Sequence, residues 1–486
     1  MEKNDSNESS TESTKTTILT FEIEEKEKEE EKKGLIEIIG LSNIHRFILF
    51  LFLISSEFIM NISSGLISSC SQIMKSSLQM NDTTYGYFGT SNNFGKLIGS
   101  VLFSVLNKKI PIKKIIVSSI LLKSFFLMSF ELTNNTYLLI FIRGLVGIFR
   151  QPIAIYNAIW IDKFGFENYK TLMMSTIQFI QPGGKVMGYI LHIIITDDFW
   201  KYGFVYEASI LGFFSIFFLF TPNKYFTNDK TDTKLIKEIE QLKSLEIETK
   251  KKEALYNNNE YNNNNNNNDN NNDNNNNNDN FFENCKKILK NKLYIYSLIV
   301  RSLLFGVNSG IHYWFNDYLV TVIEETNQKK ILIAYFIVAT LGPLFGIIGN
   351  YFIESKIGEY NSKKAISASL FFHFICCIFC IIIPFLRNFI LFLIFMLLYF
   401  VFNSFVIPII QGIIICSVEK ELKITSFSLA NIFQMLFTSG PAPTYYGYVN
   451  DLFHDQIKNA GMIGLLMFTI INLLFMFKIY KIKMSL

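Results

Sequence analysis

Charge is thin along most of this chain. Asp, Glu, Lys and Arg make up 18% of its 486 residues, against roughly 25% in an average soluble domain. Much of that share falls in the N-terminal tail and a central insert. The formal net charge of +4 is too small for a nucleic-acid binder, and no basic run is interleaved with aromatics. Cysteine is sparse as well. Cys70, Cys285, Cys376, Cys377, Cys380 and Cys416 show no metal-ligand spacing, and five of these six lie in apolar runs, where Cys behaves as a small hydrophobe. There is no glycine-rich nucleotide loop, which excludes ATP as a driver. No Ser/His/Asp set, His-rich tract or di-acid spacing converges, so an enzyme is not expected. No metal or cofactor is expected either. The first residues are acidic and no apolar segment precedes Phe47, so no cleavable signal is expected.

What is present is apolar. The chain is 50% hydrophobic and 15% aromatic, with 49 Phe. Twelve long apolar stretches fall at 46–73, 83–106, 113–131, 136–161, 171–195, 201–220, 291–320, 331–353, 363–385, 389–417, 424–449 and 458–478. About 20 apolar residues suffice to cross a bilayer, and a lipid-exposed segment must satisfy its own backbone hydrogen bonds. The expected fold is therefore an all-α membrane protein of twelve transmembrane helices in two six-helix bundles, 46–220 and 291–486. Residues 1–45 read as a disordered cytosolic tail, with a charged run from Glu24 to Lys33. Residues 221–290 read as a cytosolic linker; its stretch Asn257 to Asn280 is mostly Asn and lacks apolar surface to bury.

Orientation follows from the short loops. Placing the N-terminus in the cytosol puts fourteen Lys/Arg, from Lys108 to Lys483, on cytosolic segments and six opposite: Lys75, Lys201, Lys329, Lys330, Arg387 and Lys458. The positive-inside rule then makes both termini and the insert cytosolic. The sequons at Asn81 and Asn134 face the other way. Glu31-Lys-Lys-Gly-Leu35-Ile36 resembles an acidic dileucine signal, so the expected location is the plasma membrane or an endolysosomal or vacuolar-type membrane.

The two halves repeat each other. Pro182 precedes Gly188 by six residues in the fifth span, as Pro441 precedes Gly447 in the eleventh, at a common offset of 259. Gly95 and Gly99 in the second span match Gly342 and Gly346 in the eighth; small residues four apart let helices approach closely. A parallel repeat of this kind is known in one large transporter class.

The layout resembles the major facilitator superfamily over 46–220 and 291–480. That family's signature after the second span of each half is similar to Gly349, Glu354, Lys356, Gly358 and Lys363-Lys364 here. The resemblance implies a cytosolic gating latch at Gly349, Glu354, Lys356 and Gly358. The first-half copy departs from the pattern, with Asn107 in the acidic position. Arg143-Gly-Leu-Val-Gly147, Ile311-His-Tyr-Trp314 and Ser439-Gly-Pro441-Ala-Pro443 resemble the spinster-like branch. That branch usually carries Glu near the position of Arg150.

Ionisable groups inside the spans mark function by default, because each costs several kcal/mol to insert. The candidates for a substrate and coupling cavity are Glu57, Lys96, Arg143, Arg150, Lys185, Glu207 and Arg301. At about 1.5 Å per residue, Glu57 and Arg150 both lie roughly 16 Å from their inner helix ends. Arg143 and Arg150, seven apart, share one helix face. The resemblance implies that helices 1, 4, 7 and 10 line the cavity. The bland alternative is that Lys96 or Lys123 reaches the cytosolic interface by snorkelling, and that Glu57 with Arg150, or Glu207 with Lys185, forms a structural pair that only locks the bundle. Pro182, Gly188, Pro441 and Gly447 are expected to bend helices and pack closely where the halves meet. His373 reads as a satisfied interior or lipid-facing residue.

These residues predict a secondary transporter working by alternating access on a small organic solute, anionic, zwitterionic or lysolipid-like, with proton coupling through Glu57. The expected partners are that solute or lipid, protons and the bilayer, and the expected state is a monomer. The rival is a non-transporting receptor or sensor on a carrier scaffold. A channel fits less well, since no continuous polar stripe or charge ring is apparent.

Overall fold

The computed structural model describes residues 42–107, 109–166, 170–195, 199–222, 225–226, 281–346, 348, 362–419, 422–453 and 457–485. The tail, the Asn-rich part of the insert, the dileucine-like pattern and the latch residues Gly349, Glu354, Lys356 and Gly358 lie outside the described residues.

All regular structure among the described residues is helical and forms twelve rods. α1 runs Asn43–Met60 and continues, after breaks at Asn61 and Cys70, as Ile62–Ser69 and Ser71–Ser77. Then come α2 (Asp82–Leu106), α3 (Ile112–Met128), α4 (Thr136–Phe164), α5 (Lys170–Ile194) and α6 (Tyr202–Phe220). A short helix, Phe281–Ile288, precedes α7 (Lys292–Thr321). α8 is Gln328–Phe336 prolonged by a π-turn, Ile337–Leu341. α9 is Lys363–Ile382, α10 is Phe389–Cys416, α11 comprises Lys423–Phe437 and Ala442–Phe453, and α12 is Ala460–Ser485. Asparagine opens many of them: Asn81, Asn135, Asn291, Asn327 and Asn388 accept first-turn N–H bonds. Such caps satisfy donors that a helix start leaves orphaned.

Eight rods, α1, α4, α6–α10 and α12, are long and apolar enough to cross a membrane by composition alone. The other four have identifiable reasons to fall short. α2 and α5 carry Lys96 and Lys185 and line a polar cavity. α3 is 17 residues long, and α11 is broken. On the outside, Phe125, Phe141, Phe213, Phe220, Ile390 and Leu474 are all more than half exposed, an apolar surface suited to lipid.

The repeat seen in the sequence has a packing counterpart. A Cβ on Gly95 would strike the Gly144 carbonyl of α4, and one on Gly147 would strike Asn92 of α2. These glycines let two backbones touch. In the second half, Gly342 and Gly346 of α8 lie in the same way against Phe400 and Ser404 of α10. The proline repeat diverges. α5 passes through Pro182 as one helix, whereas α11 stops at Phe437 and restarts at Ala442. There the hydroxyls of Thr438 and Ser439 both donate to the Gln434 carbonyl, at 2.9 and 3.1 Å, and such side-chain bonds compete with the helical ladder. Gly188 closes on Ile62 and Leu66 of α1, inside the first half, while Gly447 closes on Asp82 of α2, across the halves.

Among the described residues, the main contacts between the halves lie on one side of the midplane. One apolar core fills the first half and continues into the second through Trp314, Tyr318, Tyr335 and Tyr446. A separate core around Ile288, Leu298, Ile410 and Ile479 belongs to the second half alone and lies on the side where α1 begins and α12 ends. The bridging contacts run α2 to α11, α1 to α7 and α5 to α8.

Candidate functional site: a cationic cavity closed on one side

Between the halves, near mid-height, lies a cavity of ≈ 270 Å³. Its first-half wall carries Lys96 from α2, Arg143 and Arg150 from α4 and Lys185 from α5, together with Asn61, Ser64 and Gln181. Its second-half wall carries Ser309, His312 and Tyr313 from α7, with Met435 and Pro443 from α11. The cations all come from one half.

The break in α1 builds the site. Asn61 donates to the Glu57 carbonyl at 2.7 Å and to Glu57 Oε1 at 3.2 Å, competing with the helical ladder. Its own Oδ1 accepts from Arg150 Nη2 at 2.7 Å, and the same nitrogen donates to Glu57 Oε1 at 3.1 Å. Glu57 is fully buried behind Arg150. Above this triad, Arg143 donates to the hydroxyls of Ser63 and Ser64, both at 3.1 Å; its Nε is buried without a partner. Lys96 donates to Asn93 Oδ1 at 3.0 Å. Among the described residues no hydrogen bond reaches Lys185. Its position is fixed by the backbone, because Gly65 of α1 leaves room for the Lys185 carbonyl.

Two of the candidate cavity residues lie elsewhere. Glu207 pairs with Lys123 at 2.6 Å, both fully buried, and not with Lys185. Lys123 also donates to the Met60 carbonyl at 3.0 Å, and Ser63 donates to Glu207 at 3.3 Å. This pair ties α3 and α6 to α1 inside the first half. Sequence position places both groups within their spans, but not the rotation of the helices that decides which groups face each other. Arg301 donates to Asn431 Oδ1 at 2.7 Å and lies over the Phe305 ring at 5.1 Å. It sits eleven residues before His312, about 16 Å lower along α7. His373 is buried, with Nε2 3.1 Å from the Thr469 carbonyl.

The far side of the cavity is closed by residues to which the sequence assigned no sealing role. Lys75 pairs with Asp317 of the second half at 2.5 Å and with Asp82 at 2.9 Å. Burial lowers the Lys75 pKa, but Asp317 and Asp82 outweigh it and leave the value raised. Gln72 donates to Asp317 at 2.8 Å, and Asn450 to Asp82 at 3.0 Å. Asp451 of α11 accepts the N–H groups of Asp82 and Thr83, at 3.1 and 2.8 Å, capping α2 from the opposite half. An acidic group at a helix N-terminus is favoured by the macrodipole. Beneath this layer the Trp314 and Tyr446 rings stack at 4.6 Å, and Tyr189 stacks on Tyr335 at 4.3 Å. Tyr313 closes the roof by donating to the Tyr85 carbonyl at 2.6 Å.

The sequence model of the Major Facilitator Superfamily matches residues 51–443. No curated protein sequence matches the chain. A bacterial homologue of the human lysosomal transporter Spinster, inward-facing and unoccupied, is similar with a TM-score of 0.71 at 11% identity, over 91% of this chain and 98% of that one. The nucleoside transporter NupG gives 0.63 at 11% identity, over 89% of this chain and 99% of that one. The xylose transporter XylE from E. coli, inward open, gives 0.60 at 14% identity, over 89% and 96%. At these identities the likeness concerns the fold.

Proposed function

We infer the activity from one premise: the chain belongs to the major facilitator superfamily, whose sequence model spans residues 51–443. It is a multi-pass membrane transporter, and the family's members are carriers and not enzymes. We assign it a small organic anion as solute. The observation that carries this is the convergence of Lys96, Arg143, Arg150 and Lys185 on one cavity. Cations in a low-dielectric cleft attract anions, and a guanidinium offers a planar fork to a carboxylate or phosphate.

The cavity volume of ≈ 270 Å³ favours a small solute over a lysolipid-like one, since it is at or below the range of common ligand pockets, roughly 300–1,000 Å³. One chain supplies every wall, so a monomer suffices. In the mechanism we propose, an anion entering from the α1-start side competes with Glu57 for Arg150. Glu57 then exchanges its arginine for a proton, which couples solute to proton movement. The halves rock about the site, the Lys75–Asp317 seal parts, and the opposite side closes. The excess of Lys/Arg on the α1-start side supports assigning that side to the cytosol.

Uptake by proteoliposomes containing the purified protein tests this. Saturable uptake of an organic anion, lost in Arg150→Ala, is the expected result. Uptake confined to neutral or cationic solutes contradicts the anion assignment. Tight anion binding without any translocation favours the receptor reading.

A further inference from the structure

We propose that the solute carries two negative charges, both met by the first half. This rests on the anion-carrier reading and narrows it. Four cations line the cavity, and one carboxylate, Glu57, pairs with them. With the lysines protonated, that leaves three positive charges in excess. A buried cation without a counter-charge is costly, so the site is incomplete until an anion enters. On entry, while Glu57 is still ionised, one negative charge leaves most of the excess in place and two remove most of it; the proton Glu57 then takes up frees one more positive charge for the anion to meet.

The placement of the cations points the same way. Arg143 lies two turns, about 10 Å, from Arg150 along α4, and Lys96 and Lys185 come from two further helices. The two arginine side chains reach different partners on α1, Asn61 for Arg150 and the Ser63 and Ser64 hydroxyls for Arg143, so the cations approach the cavity from three helices as separate groups. Arg143 is held only by two neutral hydroxyls and has a buried Nε without a partner. Lys185 has no described hydrogen-bond partner. These two are the free anion-binding groups. Arg150, held by Glu57, is the exchanging one. The second-half wall offers Ser309, His312, Tyr313 and Met435 but no Lys or Arg, so it faces the uncharged part of the solute.

Melting of the purified full chain reads this directly, because a ligand that binds the folded state raises its stability with concentration. The probes are succinate, with two separated carboxylates; glycerol 3-phosphate, with one phosphate; butyrate, with one carboxylate; and glycerol. Each is used at roughly 10 mM and constant ionic strength. We expect one or both dianions to raise the melting temperature, with butyrate at least roughly tenfold weaker and glycerol inert. Which dianion works separates two carboxylates from a phosphate. Lys185→Gln, which strands no partner, should weaken the dianion roughly tenfold and narrow its lead over butyrate, while Lys185→Arg preserves both. Butyrate binding as tightly as the dianions overturns the proposal and leaves the anion-carrier reading intact. Stabilisation by glycerol alone overturns both. Failure of both dianions to stabilise the protein, or an unchanged dianion preference in Lys185→Gln, also overturns the proposal.

Discussion

At the scale of the residue, the Glu57–Arg150–Asn61 triad carries the most weight. Removing one member of a buried ion pair strands the other, at a cost of about 3–5 kcal/mol. Arg150→Ala should therefore lower the melting temperature and abolish uptake. The double variant Glu57→Gln with Arg150→Gln leaves no lone charge, so it should recover most of the melting temperature without recovering uptake. Full recovery of uptake in that variant shows the pair to be structural. Lys123 and Glu207 behave differently, since their pair faces protein on all sides. Replacing both with Leu should leave the solute preference unchanged, as measured by competition among anions. A changed preference places the pair in the solute path.

At the scale of the element, close approach of backbones fixes the site. α2 and α4 touch through Gly95, Gly99 and Gly147, and this contact sets where Lys96, Arg143 and Arg150 point. Gly95→Val should cost at least about 1–3 kcal/mol through overpacking and reduce folded yield, whereas Gly212→Ala, whose nearest neighbour is 3.7 Å away, should melt like the parent. Equal melting of the two variants contradicts this packing. The sequence disclosed much at this scale. The paired GxxxG spacings marked the second and eighth spans as close-packing helices without naming their partners, and the length of α1 and α4 put Glu57 level with Arg150. It did not disclose the break at Asn61, because a single Asn within an apolar run carries no signal of its own. Ser64 was equally silent, since small polar residues occur throughout such helices; His312 and Tyr313 stood out only within the stretch Ile311-His-Tyr-Trp314 that resembles a family branch, not as cavity residues. Glu207 was matched to Lys185 in place of Lys123 because depth along a helix is read from position, while facing depends on how the helices pack.

At the scale of the whole molecule, the main contacts between the halves among the described residues lie above the cavity. In the sequence Lys75 reads as one of the loop cations, and Asp82, Asp317 and Asp451 carry no signal of their own. Only the fold brings Lys75 and Asp317, 242 positions apart, to 2.5 Å. Asp317→Asn removes the charge that joins the halves while leaving Lys75 its bond to Asp82. The variant should fold and should open the sealed side more often. Labelling of a single cysteine at the cavity residue Ser309, in a chain whose six native cysteines are replaced, tests the carrier most directly. With a membrane-impermeant thiol reagent and no solute, Ser309→Cys should react from the α1-start side and be protected from the opposite side. Adding the transported anion, or Asp317→Asn, should raise labelling from the opposite side and lower it from the first. Equal labelling from both sides at all times, unmoved by solute, contradicts alternating access around this cavity.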